Sequence, residues 1–302
     1  MNYERILLAA ADEIWAIEQR KLAAIVAFLA AKADGVTFTA EEIAARIGPA
    51  RERAVAEREG SVAIIPVRGV IANRMNMMGA ISGGTSSEGL SHAISAALTD
   101  PAVKAIVLDV DSPGGAVMGA DELSAQIFAA RGRKPIVAQV DGSAASAAYW
   151  IASAAEEVVV TPSGQVGSIG VLAAHDDLST AVEKAGLRKT VVSAGKYKNE
   201  GSPFEPLSEE ARAYLQARVD AAYAAFVERV AANRGVSAGA VRNGFGEGRM
   251  VDAKLALREG MVDRIATMSE TLARFGASPA RVDAAGRRAF APQRELRSLD
   301  HL

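Results

Sequence analysis

Four short β-branched runs, each closed by a small-residue turn and most leading into a helical pattern, restrict this chain's fold more than any other feature. They are VAIIPVRGVI (Val62–Ile71), KAIVLDVDS (Lys104–Ser112), PIVAQV (Pro135–Val140) and EVVV (Glu157–Val160). Between them the apolar spacing is helical. Thr85 and Glu88 have the form of a capping box for a helix to Leu98, a second helix is predicted over Met118–Ala130, and DGSAASAAYWIAS (Asp141–Ser153) reads as a third. Strand, helix, strand, helix at this spacing predicts an α/β fold of parallel βαβ units. Pro66 marks the first strand as an edge or a bulge.

Outside that block the pattern changes. Ile6, Leu7, Ala10, Ile14 and Ile17 form a helical stripe, so residues 3–33 read as one helix. Phe38–Ile47 reads as a second, with Thr39 as its N-cap. The charged stretch Ala50–Gly60 marks a boundary, which gives an N-terminal helical extension over 1–58 and an α/β domain over 59–270. Within that domain Met75, Met77 and Met78 form an apolar lip, Lys189–Ala194 reads as a further strand, and Ser208 caps a long helix to Asn233. From about 271 the chain is rich in Ala, Arg, Ser and Pro without periodicity, so 271–302 is expected to be a flexible tail.

Composition removes several function classes. With no cysteine, the chain has no disulfide framework, thiol nucleophile or thiolate metal site. Net charge is −2, so no basic field points to nucleic acid. The longest uncharged apolar run, Leu22–Ala31, is too short to span a bilayer, and no secretory leader is seen. A cytoplasmic protein is expected, with no membrane partner.

The chemistry gathers in turns that follow strands, where open α/β sheets collect ligands. Asp111-Ser112-Pro113-Gly114-Gly115, Gly142-Ser143-Ala144-Ala145-Ser146, Gly167-Ser168-Ile169-Gly170 and Gly195-Lys196-Tyr197-Lys198 are the four. Paired glycines let backbone N–H groups approach a substrate as an oxyanion hole does, so Gly114, Gly115 and the amide of Ala147 are candidate donors. Ser146 at the start of a helix is a candidate nucleophile, which needs a base. Lys196, Lys198 and His175 are available, and His175 with Asp176 or Asp177 leaves a triad formally open.

Taken in order, SPGG, SAASAAYWIAS, GSIGV, GKYK and GRMVDAKLALREGMVDRI resemble the serine–lysine peptidases of the signal peptide peptidase family, over about Ser61–Ile265. The N-terminal region, GVIANR and AGKYK…SPFEPLSEEA resemble the phage and prophage branch, the capsid assembly proteases or minor capsid protein C. This resemblance implies a Clp protease/crotonase-like fold, with Ser146 as nucleophile, Lys198 as general base, and Ser168 orienting that lysine. It assigns the oxyanion to Gly114 and Ala147, with Gly115 beside them. The family often has two glycines after the nucleophile; Ala147 and Ala148 stand here, which changes pocket shape more than chemistry. To act as base Lys198 must be neutral, so its ordinary pKa of about 10.4 has to be lowered by apolar surroundings, with Glu200 and Glu205 turned away.

The resemblance further implies a polypeptide substrate, with phage scaffold, capsid or portal proteins cleaved during procapsid maturation in the host cytoplasm or inside the procapsid. It implies a homo-oligomeric ring and no metal or cofactor. A housekeeping peptidase, a crotonase-type acyl-CoA enzyme and a non-catalytic scaffold protein are the alternatives.

Overall fold

The structure is a computed structural model that describes residues 14–33, 35–39, 42, 57–73 and 84–277. Its strands in chain order are β1 Trp15–Ile17, β2 Glu57–Glu59, β3 Val62–Arg68, β4 Val70–Ala72, β5 Gly84–Ser86 and β6 Ala105–Ser112. They continue with β7 Gly114–Ala116, β8 Ile136–Ala145, β9 Glu157–Val160, β10 Gln165–Gly167, β11 Met250–Asp252 and β12 Arg264–Ile265. The helices are α1 Gln19–Ala33, α2 Ser87–Thr99, α3 Ala120–Ala129, α4 Ala147–Ala152, α5 Ser179–Lys184, α6 Glu209–Arg234, α7 Ala238–Gly244, α8 Ala253–Arg258 and α9 Met268–Ala273.

The β3–β6–β8–β9 ladder is parallel throughout, with Ile65 opposite Leu108, Leu108 opposite Ala138 and Ala138 opposite Val158. Helices α2, α3 and α4 make the crossovers, so the α/β class with parallel βαβ units is as expected. These strands are apolar on both faces because both are covered. Ile65, Ile106, Leu108, Ala138 and Val158 share a cluster with α2, α3, α4 and α6, while Val62, Val107, Val137 and Val159 turn the other way, onto Leu272 and Ala277. Pro66 falls beyond the three residue pairs that join β2 to β3, so it needs no donor on that side.

A second sheet, in the order β1–β7–β4–β5, stands beside the ends of β3 and β6. It corrects the reading of residues 3–33 as one helix: Trp15–Ile17 is a strand, and the helix starts at Gln19. Of the stripe that suggested a helix, Ile14 and Ile17 belong to strand pairing instead, and residues 1–13 lie outside the described residues.

Other boundaries also moved. Thr85 does not cap α2; its hydroxyl donates to the Arg68 carbonyl at 2.7 Å, and Ser86 caps by accepting from the Gly89 amide at 3.0 Å. Asp141–Ala145 extends β8, so the third helix begins only at Ala147. Lys189–Ala194 forms no strand, for want of a partner strand within the described chain. Thr39 and Glu42 exchange the reciprocal bonds of a capping box, at 2.9 and 3.2 Å, as the N-cap reading requires. Most of the rest of 38–47, all three lip methionines and 278–302 lie outside the described residues. Ser208 caps α6 by accepting from Ala211 at 3.1 Å.

Candidate active site

Strand β8 delivers Ser146. Its last residues, Ser143–Ala145, pair in parallel with Gln165–Gly167 of β10, and at Ser146 the backbone breaks to φ 53°, ψ −118° before α4. This is a sparsely populated conformation for an L-residue, held only where the surroundings over-determine it. The Ser146 amide donates to the Gly167 carbonyl at 2.7 Å, and its own carbonyl accepts from Trp150 at 2.9 Å. Its hydroxyl donates to the Gly170 carbonyl at 3.2 Å.

The helix behind it is anchored from three sides. Trp150 stacks on Phe226 with ring centroids 4.3 Å apart, and the Tyr149 hydroxyl donates to the Met261 carbonyl at 2.8 Å. Asn233 donates to both Ser124 and Ser153, each at 2.9 Å, and both serines donate to the Trp150 carbonyl. Arg131 closes the far end on the carbonyls of Ser153, Ala154 and Ala155. Ser153 is thereby fully occupied with structure, which separates it from Ser146. The sequence reading missed Asn233 and Arg131; Asn233 stands in the last turn of α6, where the sequence reads it only as a helix end.

The glycines of SPGG lie against the serine. Gly114 has φ +97°, and a Cβ there would stand 2.3 Å from the Ala16 carbonyl oxygen, 2.9 Å from that of Ala145 and 3.0 Å from Ser146 Cβ. On Gly115 a Cβ would come within 1.8 Å of the Ile71 carbonyl oxygen. Neither place admits a side chain. The Gly114 amide donates to Ser112 Oγ at 3.2 Å, and Ser112 donates to Gly69 at 2.6 Å, so this amide is turned toward Ser112. Ala147 is buried and heads α4.

Ser168 also has positive φ, 52°, and its amide donates to the Arg249 carbonyl at 2.8 Å. Ser146, Gly114, Gly115, Ala147 and Ser168 thus come to one place. Lys198 does not join them within one chain. It is exposed on the loop after Gly195, and among the described residues no hydrogen bond links its amine to Ser146 or Ser168. Glu205 accepts from Asn199. Lys196 donates to the Tyr197 hydroxyl at 2.7 Å and to Glu210 at 3.2 Å, and these partners hold its pKa above the ordinary lysine value. His175 lines a groove of about 630 Å³ with Leu172, Leu207, Arg212 and Leu215, and among the described residues its Nε2 has no hydrogen-bond partner. No bond joins His175 to Ser146.

Within β6, Asp109 accepts from Arg68 Nε at 3.0 Å. Burial raises its pKa despite that guanidinium. No group of three or more metal-ligating side chains occurs among the described residues, and none of the described helices is long and apolar enough to cross a membrane.

The strained Ser146 turn falls inside the stretch that a family comparison matches. The model of peptidase family S49 matches residues 129–280, half of the chain. The chain belongs to peptidase family S49. The matched stretch takes in the Ser146 turn, Ser168, the GKYK loop and α6. The head-tail preconnector protein GP5 of Enterobacteria phage P21 is 33% identical over 211 residues, 70% of the S49 chain and 42% of the relative. Capsid assembly protease C of Escherichia phage lambda is 32% identical over 245 residues, 79% of the S49 chain and 55% of the relative. The chain therefore spans about half the length of these relatives. A solved ClpP1 variant from Listeria monocytogenes superposes over 68% of the S49 chain and 92% of its own, with a TM-score of 0.41 and 13% identity.

Proposed function

We propose that this chain is a serine endopeptidase in which Ser146 attacks the scissile carbonyl and Lys198 is the base. The observation that carries the reading is the strained Ser146 turn, at φ 53°, ψ −118°, with its hydroxyl directed at Gly170 and Gly114 packed against it. Lys198 takes the hydroxyl proton as the serine oxygen bonds to the carbonyl carbon. The amides of Gly115 and Ala147 receive the oxyanion, that of Gly114 joining them on release from Ser112 Oγ, and the protonated lysine returns its proton to the leaving amine. Water then releases the acyl group from Ser146. Ser168 positions the lysine. Residues 59–270 form the catalytic unit in this reading.

The dyad is completed between copies of the chain. Lys198 lies on a segment whose apolar side chains face solvent in a single chain, with Val192 92% and Leu187 62% exposed. A neighbouring copy covering Leu187, Val191 and Val192 would bring this lysine to another copy's Ser146 and give the amine dry surroundings. Relatives named head-tail preconnector protein and capsid assembly protease support phage head proteins as the substrate class, cleaved during procapsid maturation in the host cell.

A fluorophosphonate probe tests the chemistry. Labelling confined to Ser146, abolished by Lys198→Ala and preserved by His175→Ala, is expected. Labelling that survives Lys198→Ala but not His175→Ala would overturn the choice of base.

A further inference from the structure

The groove that leads to Ser146 is not empty; this chain fills it with its own strand. β1 runs antiparallel to β7, with Trp15, Ala16 and Ile17 opposite Ala116, Gly115 and Gly114. The pairing extends one residue each way. Val117 donates to the Ile14 carbonyl at 3.1 Å, and Glu18 donates to that of Pro113 at 2.8 Å. On its other side Trp15 exchanges two bonds with Leu172, each of 2.9 Å. Leu172 is two residues beyond Gly170, the acceptor of the Ser146 hydroxyl. The strand is therefore held between the SPGG segment and the GSIGV segment, across the nucleophile. The place where a Gly114 side chain would begin is 2.3 Å from the Ala16 carbonyl oxygen and 3.0 Å from Ser146 Cβ, so that carbonyl stands beside the serine.

An extended peptide added between two edges, with backbone bonds on both sides and alternate side chains in pockets, is how proteases and sheet-edge receptors take up polypeptide. β1 has these features. Ala16 is wholly buried toward the main core, while Trp15 and Ile17 turn the other way onto Leu22, Ile25, Phe28 and Val70. That second cluster is built mostly from β1 and α1 themselves, so strand and helix can leave together without opening the core beneath the parallel sheet.

We propose that Ile14–Glu18 is an internal pseudosubstrate, which an incoming polypeptide must displace to reach Ser146. The inference rests on the peptidase reading of Ser146. It also describes the segment that replaces the strand: extended, with a small residue at the place of Ala16 and large apolar residues on either side. A tethered strand competes at an effective concentration in the millimolar range, so free peptide binds weakly while the strand is in place.

The chain has no cysteine, so one engineered disulfide can lock the strand. Trp15 and Leu172 form a hydrogen-bonded antiparallel pair, a spacing of about 5.5 Å between Cα atoms that suits a disulfide. The probe is a fluorescent synthetic peptide of residues 12–20, followed by anisotropy and, separately, by hydrolysis. In the full-length Trp15→Cys/Leu172→Cys protein, oxidation should weaken peptide binding at least about tenfold, and reductant should restore it. Ala16→Pro, which removes an amide from the strand and expels it, should bind the peptide more tightly than the unaltered protein. Equal binding by the oxidised and reduced forms, or weaker binding by Ala16→Pro, would overturn the proposal. If oxidation gates binding but no form hydrolyses the peptide or takes up the fluorophosphonate, the strand is still a groove occupant and the peptidase reading fails instead.

Discussion

Gly114 lies against Ser146 at a point where a side chain cannot be admitted. A Cβ on Gly114 would meet Ser146 Cβ at 3.0 Å and the Ala16 carbonyl oxygen at 2.3 Å, and its φ of +97° is itself unfavourable for any other residue. Gly114→Ala should therefore lose fluorophosphonate labelling and cost more than about 1 kcal/mol of stability. Gly132→Ala is the control, because Gly132 also has positive φ, +78°, but nothing within 4 Å. It should lose only the strain, about 1 kcal/mol, and label fully. Full labelling of Gly114→Ala would remove SPGG from the site.

If the dyad is shared between copies, two dead proteins make a live one. Ser146→Ala lacks the nucleophile but keeps Lys198, and Lys198→Ala the reverse. Each alone should hydrolyse no peptide, while a mixture should recover a substantial fraction of activity through sites with one intact residue from each copy. Recovery should rise with total protein concentration. A mixture as inactive as its components would show that the lysine and serine serve within one chain.

The parallel sheet was legible because its strands are β-branched runs closed by small residues; Glu157–Val160 falls on the expected residues, and Lys104–Ser112 and Pro135–Val140 start within one of them. Ser146 was singled out by the company of SPGG, GSIG and GKYK rather than by its own neighbours; the first two lie beside it, and GKYK stands apart within one chain. What escaped was long-range pairing. Trp15–Ile17 fits a helical period and became a strand only because Gly114–Ala116 and Leu172 offer edges far along the chain. Gly114–Ala116 itself reads as a turn, since glycine carries no strand preference. Lys189–Ala194 failed for the opposite reason, a good β sequence with no strand edge to join among the described residues.

Asn233 is the buried link between α4, the helix that follows Ser146, and α6. Its amide serves Ser124 and Ser153, which both donate to the Trp150 carbonyl. Asn233→Ala leaves those hydroxyls without donors in a dry place, at a cost of about 1–3 kcal/mol. The urea midpoint should fall with unchanged slope, and Ser146 should label more slowly because α4 is less firmly held. An unchanged midpoint would mean that the network is replaced by water at no cost.

Asp263 gives the fold an acid-sensitive clasp. Burial alone would raise its pKa, but Arg234, with bonds of 2.7 and 2.9 Å, and the Val158 amide at 2.7 Å hold it below the ordinary 3.8. A depressed folded-state pKa stabilises the fold above the unfolded value, and the stabilisation is lost as pH falls through the folded value. Stability should therefore be level from neutral pH down to about 5 and decline below about 4, as far as this group is concerned. Asp263→Asn should be less stable at pH 7 and show a shallower decline between pH 4 and 2.5, followed by thermal melting at fixed ionic strength. Parallel pH profiles for the two proteins would show that the Arg234–Asp263 pair does not contribute to acid lability.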